Sequence, residues 1–324
     1  MHTTVAAPDS VKGGESNGSP PFGAGAAEDR SPGPATRSRL LPFLLLLPAV
    51  AVLGLMLGYP LVRLVTMSFQ EFGLRQQFGT PAPWVGLTNF REIVGDAYFW
   101  RVLVRTVVFC FVNVALTMVI GGALALLMTK LSNVVRGLLS VGLMLAWATP
   151  PLAAVVIWQW VFDTQYGLAN WALGRQGESW LAEPLSFFMV ATIIVVWMGV
   201  PFVTFTIYAG LTQVPRELIE AAALDGASPV QRLRVVAYPM VKPIIMILTA
   251  LSVLWDFRVF TQVYVLQKAG GISRDTNLLG VYAYQISIGQ NQFGVGAAVA
   301  IVMVLITLVL TLFYLRSMTR TEEL

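Results

Sequence analysis

Very little in this sequence could carry out covalent chemistry. The one histidine is His2 and the one cysteine is Cys110. No Ser-His or Cys-His nucleophile pair can be assembled from them within the chain, and no HExxH zinc site. A lone cysteine forms neither an intrachain disulfide nor a thiolate metal cluster. No Gly-Lys-Ser/Thr phosphate loop occurs. Catalytic residues, metal ligands and a cofactor in this chain are therefore expected to be absent, and any ATP must be bound elsewhere. What remains is a pattern for docking, PRELIEAAALDGASP at 215–229. Pro215 suits the first turn of a helix, and Glu217 sits near the positive end of its dipole. Arg216 and Glu220 are four apart and can pair on one face. Ala221, Ala222 and Ala223 favour helix and leave a thin surface. Gly226 supplies the stop, as a residue able to take positive φ. Ser228 and Pro229 restart a helix as N-cap and first residue. That helix runs through Arg232 and Arg234, and Pro239 and Pro243 are expected to end it. The competing reading is an amphipathic connector lying on a membrane. Three alanines insert weakly into lipid, whereas small residues let another protein approach closely.

The elements that must position this stretch are membrane spans. The chain has 324 residues, 56% hydrophobic and 12% charged, about half the charge of an ordinary soluble domain. Mean hydropathy is +0.71. A span needs roughly 20 apolar residues, and six segments qualify: 40–69, 102–128, 138–161, 185–211, 243–266 and 293–315. The expectation is an all-α integral membrane protein, a six-span domain over 40–324 with the charged loop at 212–242. Residues 1–39 are rich in Gly, Pro, Ser and charge, and are expected to be a disordered tail. The apolar run after Arg37 and Arg39 is too long for a signal peptide.

Loop charge orients the spans. With the N terminus inside, the inner segments hold Lys12, Arg30, Arg37, Arg39, Lys130, Arg136, Arg216, Arg232, Arg234, Lys242, Arg316 and Arg320. The outer ones hold Arg75, Arg91, Arg101, Arg105, Arg175, Arg258, Lys268 and Arg274. The bias puts both termini and the 212–242 loop in the cytoplasm. Trp84, Trp100, Trp160, Trp171 and Trp180 fit an outer interfacial belt. A net charge of +4 gives no argument for nucleic acid.

Spacing beyond the docking stretch carries a resemblance. Glu220-Ala221-Ala222, three residues, Gly226, nine residues, then Val236-Ala237-Tyr238-Pro239 resembles the EAA loop of binding-protein-dependent ATP-binding-cassette (ABC) importers. That pattern has Ile at the place of Val236 and Leu at the place of Tyr238. ALDGAS (223–228), WVGLTNF (84–90), YGLANWAL (166–173) and DFRVFTQVYVLQKAGG (256–271) with Thr276 resemble the carbohydrate subgroup, the maltose F-type partner in particular. That subgroup often has Gly-Gly-Pro where this chain has Gly270-Gly271-Ile272. The resemblance runs from about 40 to 316. It implies a non-catalytic permease subunit of an importer of the type I fold, in a bacterial cytoplasmic membrane. The implied partners are a second, homologous permease, two ATPase subunits holding ATP and magnesium, and an extracytoplasmic solute-binding protein or lipoprotein. The implied cargo is a sugar, an oligosaccharide above all. Glu220, Ala221, Ala222, Asp225, Gly226 and Pro239 would form the contact with the ATPase.

Polar groups inside spans face a partner or a cavity. Asn113, Thr117, Gln159, Trp160, Thr204, Tyr208, Trp255, Asp256, Arg258 and Gln262 are the candidates for a substrate pathway, since sugars need hydroxyl and amide partners and flat aromatic cover. Helix–helix hydrogen bonding is the competing reading for each, and an outer ion pair for Asp256 with Arg258. The alternative function is an ion-coupled secondary transporter, which calls for acidic residues near mid-span and an inverted repeat. Asp256 alone comes close. An intramembrane enzyme would need a histidine or a paired-aspartate motif that the spans lack.

Overall fold

The computed structural model describes residues 41–322, with side chains from 45 to 316. The expected tail at 1–39, including His2, lies outside the described residues. Their regular structure is helical, apart from isolated bridges joining Gln70 to Trp84 and Gly73 to Gln292.

The chain divides into two units at residues 55 and 56. The first holds α1 (Leu41–Leu53), apolar throughout, with Pro48 inside it. The second begins, after a π-turn at Gly54–Gly58, with α2 (Tyr59–Ser68), α3 (Leu74–Gln77) and α4 (Thr88–Gly95). The 34-residue α5 (Ala97–Lys130) follows, then α6 (Asn133–Ala148), α7 (Pro151–Val161) and α8 (Leu168–Leu173). After α9 (Pro184–Thr212) come α10 (Arg216–Leu224) and α11 (Pro229–Arg232). The remainder is α12 (Tyr238–Asp256), α13 (Thr261–Lys268), α14 (Ser273–Thr276), α15 (Leu279–Tyr284) and α16 (Phe293–Glu322). Long apolar helical runs cover Leu45–Ser68, Ala97–Lys130, Pro184–Thr212, Pro229–Lys268 and Phe293–Arg316.

Two segments depart from the expected plain spans. The third, expected as one helix over 138–161, is α6 and α7 bent by 106° at the break. Consecutive prolines are the cause. Each restricts the residue before it to extended backbone, and Thr149 (φ −72°, ψ 122°) and Pro150 (φ −58°, ψ 144°) both comply. Pro151 then opens α7, where its missing N–H costs nothing. The fifth segment is also broken: α12 ends at Asp256 and α13 begins at Thr261. The two detached halves meet, with Gln159 Nε2 of α7 donating to the Val265 carbonyl of α13 at 3.3 Å.

The spine of the molecule is α5 against α9. They run side by side in the same direction, with Gly121 beside Val203 and Gly199 beside Thr117. A Cβ on Gly121 would lie 2.7 Å from Val203 Cγ1, and one on Gly199 would lie 3.1 Å from Thr117 Cγ2. In lipid no hydrophobic drive brings helices together, so close backbone approach and dispersion contact must hold them. Phe187, Val190, Ala191 and Ile194 of α9 then pack with Val155 of α7 and Val263 of α13 in one core. Phe99, Val102 and Cys110 of α5 pack with Leu279 of α15 and Val299 of α16 in another.

Loops are tied by single buried amides. Asn89 Nδ2, from WVGLTNF, donates to the Ser68 and Gln70 carbonyls at 2.9 and 3.0 Å. Asn170 Nδ2, from YGLANWAL, donates to the Asp163, Thr164 and Glu178 carbonyls, and its Oδ1 accepts from Trp180 Nε1 at 2.5 Å. Asp163 accepts from the Gln165 and Tyr166 backbone N–H groups, which lower its pKa.

The α5–α9 seam makes a single methyl decisive. Gly121→Ala is expected to cost about 1–3 kcal/mol through overpacking. Gly122→Ala, whose Cβ meets Ile207 Cδ1 at an ordinary 3.9 Å, is expected to cost nothing. Thermal unfolding of the two detergent-purified variants checks this, and Gly121→Ala is the one expected to melt early.

Candidate functional site

The stretch at 215–229 folds as helix, corner, helix. Pro215 stands at the N-cap (φ −58°, ψ 130°) rather than at the first helical position, and Glu217 lies in the first turn of α10. The corner is a Schellman closure. Gly226 N–H donates to the Ala223 carbonyl at 3.1 Å, and Ala227 N–H reaches back to the Ala222 carbonyl at 3.0 Å. Gly226 adopts φ +81°, which L-residues resist because Cβ crowds the carbonyl. Asp225 caps the helix, its N–H donating to the Ala221 carbonyl at 3.0 Å. Ser228 restarts the chain with a capping box: its N–H donates to Gln231 Oε1 at 2.7 Å, and Gln231 N–H donates to Ser228 Oγ at 3.4 Å.

Pro239 and Pro243 do not end the second helix. A π-turn at Leu233–Ala237 leads without a break into α12, with Pro239 in its first turn and Pro243 inside it. The turn is wider by one residue, with Tyr238 N–H donating to the Leu233 carbonyl five residues back, and Pro239 follows directly. The loop is thus continuous with the fifth span.

One face of α10 holds the loop and the other is free. Ile219 packs into a cluster with Val214, Leu233, Val236, Ala237 and Val241, and Ala222 on the same face is half-buried. Glu217, Glu220 and Ala221 are exposed, as is Leu224, at 90%. An unsupported leucine beside two carboxylates makes a small surface with an apolar centre and an acidic edge. The Arg216–Glu220 pair that the spacing allows does not form. Among the described residues the ion pair is Arg175 with Glu178, at 3.6 Å.

The polar span residues do not converge on one site. Asn113, Thr117 and Thr204 are fully buried in the α5–α9 seam. Asn113 Nδ2 donates to the Phe109 carbonyl at 2.6 Å, while Asn113 Oδ1 and Thr204 Oγ1 have no partner. Gln159 and Gln262 lie at the α7–α9–α13 corner, where Gln262 Nε2 reaches Met198 Sδ at 3.8 Å. Trp255 is 47% exposed and tilts against Phe202 at 5.3 Å, and Phe202 stacks on Trp147 at 6.3 Å. These rings form an open aromatic row across α6, α9 and α12. Asp256 is half-buried at the end of α12. Arg258 is exposed and donates from Nε to the Leu254 carbonyl at 3.1 Å, not to Asp256. Trp160 is 61% exposed. Tyr208 lies under the Arg136 guanidinium, 5.7 Å from its ring centroid.

Sequence reasoning missed a buried polar clasp after the fifth span. Gln267 Nε2 donates to Thr276 Oγ1 and Asn277 Oδ1 at 3.1 and 3.0 Å. Gln285 Nε2 donates to Gln267 Oε1 at 3.1 Å, and Asn277 Nδ2 donates to Gln285 Oε1 at 2.7 Å and Tyr98 OH at 2.9 Å. The clasp pins the 269–278 loop onto α5 and α15. Three amide side chains within about twenty residues were the available signal, but nothing in their spacing shows that they meet.

The model for binding-protein-dependent transport system inner membrane components matches residues 117–322. The chain is similar to the diacetylchitobiose uptake system permease protein DasB of Streptomyces coelicolor, 42% identical over 93% of each chain. It is 31% identical to the trehalose/maltose transport system permease protein MalF of Thermococcus litoralis, over 86% of this chain and 94% of that one. Its fold matches a chain of a bacterial ABC transporter that imports the acidic polysaccharide alginate, with a TM-score of 0.76 and 19% identity, over 86% of this chain and 95% of the other.

The corner yields its own test. No atom lies within 4 Å of a Cβ placed on Gly226, so substitution there strains backbone alone, by about 1–2 kcal/mol. Gly226→Val is expected to loosen the corner and speed tryptic cleavage at Arg232 and Arg234. Gly226→Asn, whose side chain tolerates the left-handed region, is expected to stay close to the parent. Limited proteolysis of the purified variants reads the difference.

Proposed function

The chain belongs to the family of binding-protein-dependent transport system inner membrane components, and from that premise we propose that it is one permease of an ATP-driven carbohydrate importer. It forms half of the pathway with a second, related permease. It hydrolyses nothing itself. Two ATPase subunits engage the α10 corners of the two permeases from the cytoplasm, and an extracytoplasmic binding protein delivers the sugar. Both termini lie in the cytoplasm, as the loop charges favour.

The observation that carries this reading is the continuity of α10, the Gly226 corner, α11 and α12. The outer face of α10 offers Glu220, Ala221 and Leu224 to a partner. Its inner face is fixed to the start of the fifth span through Ile219. A pull on α10 is therefore passed to α12 through packed side chains rather than through a slack loop. Beyond α12, the break at 257–260 and the aromatic row of Trp147, Phe202 and Trp255 are where such a movement would change access to a sugar. ATP binding to the partner selects one of the two arrangements, and the loaded binding protein favours the same one, which links delivery to hydrolysis. The sugar class follows from the relatives, whose names give diacetylchitobiose and trehalose/maltose. The neutral and aromatic groups of the broken spans suit such cargo. An ion-coupled carrier would need acidic residues near mid-span, and Asp256 stands at the end of α12.

Two outcomes test this. Glu220→Lys is expected to leave the protein in the membrane, to abolish sugar uptake and to reduce recovery of the ATPase with the permease. Normal uptake would make the loop a mere connector. Deletion of the ATPase gene is expected to abolish uptake as well, and uptake that survives it would return the ion-coupled carrier to favour.

A further inference from the structure

Beside the Gly226 corner lies a recess. It has a volume of about 380 Å³ and sits between the last turns of α5 and α9 and the start of α11. Leu126, Leu211, Ile219 and Leu233 make its wall, and Lys130 and Arg232 bring two cations to it. Arg232 is half-buried, and its Nε is shut off from solvent without any hydrogen-bond partner. A buried guanidinium N–H left unpaired costs free energy, and some acceptor is expected to fill the place. Among the described residues no carboxylate does so, since the ion pair found there is Arg175–Glu178.

We propose that this recess binds an acidic phospholipid of the adjoining leaflet. Its acyl chain lies against the leucine and isoleucine wall, and its phosphate pairs with Lys130 and with the Arg232 guanidinium. Three observations favour lipid over other occupants. The recess opens where α5 and α9, two helices long and apolar enough to cross a membrane, come to their ends. Its wall is almost wholly apolar, which a free inorganic anion would not need. Its charge is of the sign that basic pockets between membrane helices use to hold anionic headgroups. The inference needs only a membrane-spanning chain, so it stands apart from the identity of the cargo. A bound lipid would brace Ile219 and Leu233 together and stiffen the corner through which force reaches α12.

The test uses the permease complex extracted in mild detergent from native membranes, with its bound phospholipids resolved by class. The parent is expected to carry phosphatidylglycerol or cardiolipin at roughly threefold or more above the ratio in the membrane extract. Lys130→Gln with Arg232→Gln is expected to bring that ratio down to the bulk value. Arg234→Gln, a neighbouring cation that is exposed and absent from the recess wall, is expected to leave it unchanged. A second arm needs no variant: added phosphatidylglycerol is expected to raise the melting temperature of the parent complex, and inorganic phosphate is not. Equal enrichment in the double variant, or none in the parent, would overturn the proposal. Equal stabilisation by inorganic phosphate would also overturn it, by assigning the cations to a free anion. So would unchanged lipid together with loss of the ATPase in Arg232→Gln, which would give the guanidinium to the protein partner.

Discussion

Backbone N–H and C=O groups have no water to turn to inside a bilayer, and this constraint shapes nearly every irregular feature of the chain. An interruption in a span is tolerable only where protein buries it and supplies partners. The fold satisfies that condition at each break. Pro150-Pro151 splits the third segment, and the detached α7 is held by α9, α13 and the Gln159 hydrogen bond. The break after Asp256 is closed by the Phe257 and Arg258 backbone N–H groups, which return to the Val253 and Trp255 carbonyls at 3.0 and 3.1 Å. The π-turn before Pro239 absorbs a proline that would otherwise have stopped a helix. Buried amides of Asn89 and Asn170 supply partners to backbone carbonyls of the connecting loops.

Because each irregularity is supported, it can also be a place of controlled movement. The α5–α9 spine is too closely packed to slide, with glycine set against valine and threonine. Around it lie elements of another kind: the half-helices α7 and α13, the exposed aromatic row and the α10–α11 corner. A transporter needs this division. One part must stay rigid, and another must have two arrangements of similar energy. The Ile219 cluster joins the two parts, since it seats the corner directly on α12.

Much of this was legible in the residues. The apolar runs at 102–128, 185–211 and 293–315 fall on the long helices α5, α9 and α16, because length and hydropathy are local properties. The corner was readable for the same reason: Gly226, Ser228 and Pro229 act through their own φ and ψ. The misreadings share one cause. Pro239 and Pro243 look like helix ends, yet a π-turn that no residue type announces leads into Pro239, and α12 runs on through Pro243. Arg216 and Glu220 have the right spacing for a pair and do not form one, since both are exposed and solvent serves them as well. The pathway candidates were chosen for polarity inside spans. Polarity alone does not separate Asn113, Thr117 and Thr204, buried in a seam, from Trp255 on an open face. The amide clasp of Gln267, Asn277 and Gln285 was invisible, since its members come together only through tertiary packing.

The central claim is that the outer face of α10 meets the ATPase while its inner face belongs to the permease. The chain has one cysteine, Cys110, and it is buried. Single cysteines can therefore be placed along α10 in a Cys110→Ala background and armed with a short photo-crosslinker in the intact complex. The account predicts strong cross-links to the ATPase from Glu220→Cys and Leu224→Cys, and weak or absent ones from Ile219→Cys. Equal labelling from all three positions, or labelling strongest at 219, would contradict it.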